Sequence, residues 1–122
     1  MGRTHVVPLS AEALAAFRRA EKLKVTASDL VFPSQVVVTK PLSDMTLLKI
    51  LRDIELAVTV HGFRSAFRDW VADKTDYPGE VAEVALAHAI SNKVEAAYRR
   101  TDFLEKRRLL MAEWAAFCVG TV

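Results

Sequence analysis

His61, Arg64 and Arg68 stand at i, i+3 and i+7. At 100° per residue that spacing puts all three on one face of a helix, away from Phe63, Phe67 and Trp70. A helix start carrying a histidine and two arginines suits an anion, because free backbone N–H groups and cationic side chains point the same way. Arginine grips two phosphate oxygens in a planar fork, which lysine cannot do. The same spacing also describes a solvated basic face with a capping histidine. His88 follows Val81, Val84 and Ala85 at i+7, i+4 and i+3, on the apolar face of its helix. It is either a satisfied core histidine or one held by packing with a nitrogen turned to a ligand. Tyr98 shares an apolar side with Val94, the pattern of a core tyrosine with its hydroxyl at the surface. Around it stand Lys93, Arg99, Arg100, Lys106, Arg107 and Arg108; residues 99–108 hold five basic and two acidic side chains, a local charge of +3.

The elements that must position these residues are mostly helical. His5 to Leu9 is short, β-branched and stopped by Pro8, as an edge strand would be. Ser10 is the expected cap of a helix to about Leu23, with Glu12 near its positive end. Leu30–Phe32 suggests a short strand, and Pro33 to Pro41 a loop with an extended piece. Ser43 is the next expected cap, before Leu47, Ile50, Leu51 and Ile54 at i, i+3, i+4 and i+7. Thr59 or His61 opens a third helix. Pro78 begins a fourth, to about His88. A short helix over Val94 to Arg100 and a last one over Asp102 to Phe117 follow, with Gly120 just past the end. The expected fold is mainly α, an α+β class with vestigial strands.

Composition bounds the rest. The chain has 122 residues, 52% hydrophobic and 26% charged, the balance of one folded domain rather than a disordered chain. Four Gly and four Pro exclude a linker or collagen-like chain. The longest uncharged stretch, Leu30 to Thr39, is half of what a membrane span needs, and no signal-peptide pattern is present. One cysteine, Cys118, cannot close an internal disulfide, so a reducing cytoplasm is the expected compartment. A net charge of +2 does not by itself argue for nucleic acid.

Taken in order, Thr59-Val-His-Gly-Phe-Arg64, Leu86-Ala-His88 and Ala97-Tyr-Arg99 resemble the catalytic half of the tyrosine recombinases (phage integrase family). The branch carried by prophages and genomic islands is the most similar. His5-Val-Val-Pro-Leu-Ser10, Val31-Phe-Pro-Ser34 and Val94-Glu-Ala-Ala-Tyr-Arg-Arg100 extend the match over almost the whole chain. An isolated HxxR is weak; the three motifs in the family's order and near its spacing are strong.

The resemblance implies that Tyr98 attacks the scissile DNA phosphate and forms a 3′-phosphotyrosyl link, releasing a 5′-hydroxyl. It implies that Arg64 holds the non-bridging oxygens, that His61 assists proton transfer, and that His88 contacts the phosphate. No metal or nucleotide cofactor is implied. A phenol of pKa ~10 is scarcely ionised at neutral pH, so nearby cations and a histidine base suit its activation. Arg68, Lys93, Arg99 and Arg100 are the expected DNA contacts. The expected partners are double-stranded DNA and, through the carboxy-terminal helix, other recombinase protomers, with nucleoid association and no membrane.

Two of the family's catalytic positions, a first arginine and a hairpin lysine serving as general acid, have no match here, and Arg3 does not replace them. Residues 1–122 are therefore expected to form one partial catalytic domain, without the family's amino-terminal DNA-binding domains. Losing one phosphate-stabilising cation costs roughly 10³-fold or more, so with two missing, cleavage by this chain alone is expected to be undetectably slow. The alternative is a non-catalytic helical remnant that binds DNA or protein.

Overall fold

A computed structural model describes residues 4–24, 28–88 and 102–121. Among them are five helices: α1 (Ala11–Lys22), α2 (Thr46–Asp53), α3 (Gly62–Lys74), α4 (Gly79–Ala85) and α5 (Leu104–Val119). The mainly α expectation is met. The helix expected over Val94 to Arg100 lies outside the described residues.

The chain divides into two compact units, Glu12–Phe63 and Met1–Ala11 with Arg64–Val122. In the first, the Phe17 ring of α1 meets that of Phe32 at 5.8 Å between centroids. Between the prolines the chain turns back on itself: Ser34 N–H donates to the Lys40 carbonyl at 2.8 Å, and Leu42 N–H to that of Phe32 at 3.1 Å. The strand expected at Leu30–Phe32 reduces to an isolated antiparallel bridge between Pro33 and Pro41, because prolines on both sides lack the N–H groups a ladder needs. Ser43 stands two residues before the N-cap Met45, its Oγ accepting from Met45 N–H at 3.3 Å. Of the expected α2 stripe only Leu51 is buried, and Ile54 stands at the helix end.

The second unit holds the core. Phe67 and Val71 of α3, Val81 and Ala82 of α4 and Leu110 of α5 are buried together. Beside them four rings interlock. Trp114 meets Phe67 edge-on at 5.3 Å and Trp70 at 5.1 Å, and Phe117 packs on both tryptophans at 5.5 and 5.7 Å. Such ring pairs add to the area they bury. The residues expected as an edge strand, His5 to Leu9, form no strand. The Val6 carbonyl accepts instead from Arg107 Nη1 at 2.7 Å, and Pro8 is buried.

At the foot of α3 the Tyr77 hydroxyl donates to Glu113 Oε1 at 2.7 Å. Burial first, then this hydrogen bond and the Glu113 charge, push the phenol from 10.0 up to about 12. The raised pKa favours the protonated folded form, so this stabilisation is full below the unfolded value and is lost as pH rises toward 12. Ultraviolet titration of the phenols should show a tyrosine ionising near 12, and Tyr77→Phe should remove that phase.

Candidate functional site

Two helix ends build the candidate site, the start of α3 and the finish of α4. Thr59, rather than His61, caps α3: its Oγ1 accepts from Gly62 N–H at 3.1 Å. His61 is exposed, one residue before the helix, and belongs to the unit Glu12–Phe63. Arg64 is the third residue of α3. From there its Nη2 donates to the Leu86 carbonyl at 2.6 Å. Leu86 is the C-cap of α4, where carbonyls lack helical partners and the macrodipole is negative, so an arginine there is doubly favoured.

The helix expected to run from Pro78 to His88 stops at Ala85, and the reason is local. Ala87 takes a left-handed conformation with φ 54°. Its N–H then bonds the Val84 carbonyl at 3.0 Å and the His88 N–H bonds that of Glu83 at 3.0 Å. This paired closure is the Schellman motif, normally built on glycine. His88 is thus turned off the apolar face and stands half exposed, correcting the expectation that it faces the core. Its Nδ1 lies 2.5 Å from Glu83 Oε2.

Glu83 is the residue that sequence patterning missed. Its other oxygen, Oε1, accepts from Arg68 Nε at 2.5 Å. Hydrogen bonds from Arg68 and then His88 hold the Glu83 carboxyl below its usual range, against the opposing effect of burial. Arg68, expected on the DNA face, is therefore occupied inside the protein, with its guanidinium lying over Gly79. A Cβ there would meet Nη2 at 3.2 Å. Arg64, Arg68 and His88 come together around the end of α4, linked through Leu86 and Glu83. Lys93, Tyr98, Arg99 and Arg100 lie outside the described residues. Among the described residues no group of three or more His, Cys, Asp or Glu could hold a metal ion, and no helix is long and apolar enough to cross a membrane.

Two predictions arise here. Glycine at 87 removes the Cβ strain, less the extra freedom it gives the unfolded chain. Ala87→Gly should therefore raise stability by about 0.5–1 kcal/mol, read as a higher midpoint of thermal unfolding. The depressed Glu83 pKa contributes stability that is present above its ordinary value of 4.5 and lost as pH falls through the folded value. Glu83→Gln should flatten the pH dependence of unfolding in that acid range. The effect stays within about 1 kcal/mol, because solvent screens the 38% exposed Arg68 and the 35% exposed Glu83.

Known proteins similar to this chain are integrases. The prophage integrase IntA of Escherichia coli K12 is 36% identical over 117 residues, covering 94% of this chain and 28% of the relative. The integrase of Shigella phage Sf6 is 30% identical over 115 residues, covering 93% and 30%. The prophage integrase IntS of Escherichia coli K12 is likewise 30% identical over 115 residues, with the same coverage. The chain thus spans less than a third of the length of these curated relatives. No family model matches it, and no solved structure does.

Proposed function

This chain belongs to the phage integrase family, and on that premise we propose that it carries the carboxy-terminal catalytic part of a site-specific tyrosine recombinase. Tyr98 is the nucleophile. Its oxygen bonds to the scissile phosphorus as the bond to the 5′-oxygen breaks; the departing oxygen takes a proton from water, leaving a 3′-phosphotyrosyl link and a 5′-hydroxyl. Attack by a 5′-hydroxyl reverses the step, so the energy of the broken bond is kept without a nucleotide. Arg64 neutralises charge developing on the non-bridging oxygens, and His61 takes the phenol proton.

The observation that carries this reading is the convergence of Arg64 and His88. These residues, 24 positions apart, meet the same turn: Arg64 bonds the Leu86 carbonyl, two residues before His88. Glu83 gives His88 its orientation. An ionised carboxylate only accepts, so His88 donates to it from Nδ1, and the Nε2–H of the imidazolium is the donor to a phosphate oxygen. Arg68 holds Glu83 in turn and is a positioning residue, while Lys93, Arg99 and Arg100 contact the DNA. Other protomers dock on α5, whose Leu109, Phe117 and Val119 are exposed. The whole acts on DNA in the bacterial cytoplasm, on the nucleoid, and this chain alone cleaves very slowly.

One observation favours a second reading, a non-catalytic DNA- or protein-binding domain: Arg64 is already engaged by the Leu86 carbonyl, and Arg68 and one nitrogen of His88 by the Glu83 carboxylate. Titrating a short DNA duplex into isotope-labelled protein separates the two. Under the recombinase reading the ring signals of His61 and His88 move together, and Arg64→Ala weakens binding. Binding that leaves both rings unmoved and ignores Arg64→Ala supports the second reading. No binding at all removes DNA as the partner of this chain.

A further inference from the structure

The largest fully buried side chain in the described structure is a charged one. Arg107, in the first turn of α5, is 1% exposed. Its Nε donates to the Asp102 carbonyl at 2.8 Å and its Nη1 to the Val6 carbonyl at 2.7 Å, across 101 residues of sequence. Nη2 has no hydrogen-bond partner; the Asp102 carboxylate stands 3.5 Å away. The turn that Arg107 holds is itself unusual. Phe103 is left-handed, with φ 53°, and Asp102 Oδ1 caps the Leu104 N–H at 3.1 Å.

A buried arginine with an unsatisfied nitrogen is a poor source of stability, since an apolar side chain of similar volume often does as well or better. What an apolar residue cannot do is grip two carbonyls from distant parts of the chain in one rigid plane. The two it grips are well placed. Val6 lies in the amino-terminal segment, and Asp102 is the fourth residue after Tyr98.

We propose that Arg107 is a positioning residue that couples the amino-terminal segment around Val6 to the Asp102–Phe103 turn that opens α5, so that displacing either one moves the other. The coupling is a property of the fold; its importance for strand transfer rests on the recombinase reading, in which Tyr98 must meet the phosphate. Both neighbours of the clamp would then be set by one side chain.

The test uses the full chain. Replacing the Val6–Val7 peptide bond by an ester weakens the Val6 carbonyl as acceptor without altering a side chain. Arg107→Met removes the guanidinium and keeps the bulk. Each change should speed hydrogen exchange of the Leu104 amide, by roughly tenfold for Arg107→Met. The Leu110 amide should keep its protection, which general loosening of α5 would not allow. Combining ester and Arg107→Met should give no more than Arg107→Met alone. Ester effects confined to residues 5–9, or effects that add, would each overturn the coupling. If Arg107→Met does not fold, the ester alone decides, by whether Leu104 responds. Failure of the recombinase reading is seen separately, as phosphodiester chemistry that persists in Tyr98→Phe.

Discussion

Arg64→Ala should lower the rate of phosphotyrosyl formation by about 10³-fold, near 4 kcal/mol of barrier, the scale on which removing one cation from a phosphoryl-transfer site acts. The substrate of choice is DNA whose scissile phosphate bears p-nitrophenol. That leaving group needs no general acid, so the reaction bypasses the lysine that has no match in this sequence. Release is followed by absorbance, and the adduct by mass spectrometry on the Tyr98 peptide. Arg64→Lys should recover only about tenfold of the loss, because a lysine restores charge but not the two-pronged grip. Part of the loss has a second origin. Without its hydrogen bond to the Leu86 carbonyl, the end of α4 that presents His88 loses an anchor. Tyr98→Phe should give no adduct at all; an adduct in that variant, or an undiminished rate in Arg64→Ala, would refute the proposed chemistry.

Leu110→Ala should produce the largest loss of stability. The side chain is 0% exposed and sits where α3, α4 and α5 meet. Removing its buried methyl groups leaves a cavity that the surrounding rings fill only in part. The expected cost is about 3 kcal/mol, a large share of a domain's net stability, and a drop of roughly 10 °C in the unfolding midpoint. Trp70 and Trp114, the chain's two tryptophans, lie in the adjoining ring cluster and report the transition by fluorescence. The neighbouring Leu109, 61% exposed, is the internal control: Leu109→Ala should stay within about 0.5 kcal/mol. Equal effects at the two positions would contradict the placement of α5.

Patterning located the helices because their apolar residues recur at the helical period, as in α3, where Phe67 and Val71 are the buried pair. It placed His88 wrongly because the end of α4 carries no glycine. Ala87 adopts the left-handed turn that glycine usually marks, and tertiary contacts there override local preference. Glu83 was invisible for another reason. Its partner Arg68 is 15 residues away, beyond any spacing rule, and a carboxylate on a short helix reads as solvent-facing. Arg107 was different, since the sequence did hold a signal. Phe103, Arg107, Leu110 and Trp114 fall at i, i+4, i+7 and i+11, so Arg107 lies in the inner stripe of α5. Counting it among the basic surface residues near Tyr98 followed charge and ignored phase.

The internal engagement of Arg68 and Arg107 has a consequence for counterions. A cation already bound inside the protein, to a carboxylate or to carbonyls, does not displace sodium from a DNA backbone when the duplex binds. Each phosphate neutralised contributes about 0.9 to the slope of log affinity against log salt. The nine basic residues of 61–122 thus overstate the electrolyte sensitivity of this surface by roughly two phosphates' worth. A shallow salt dependence would then mark a protein that spends arginines on its own architecture before it spends any on DNA.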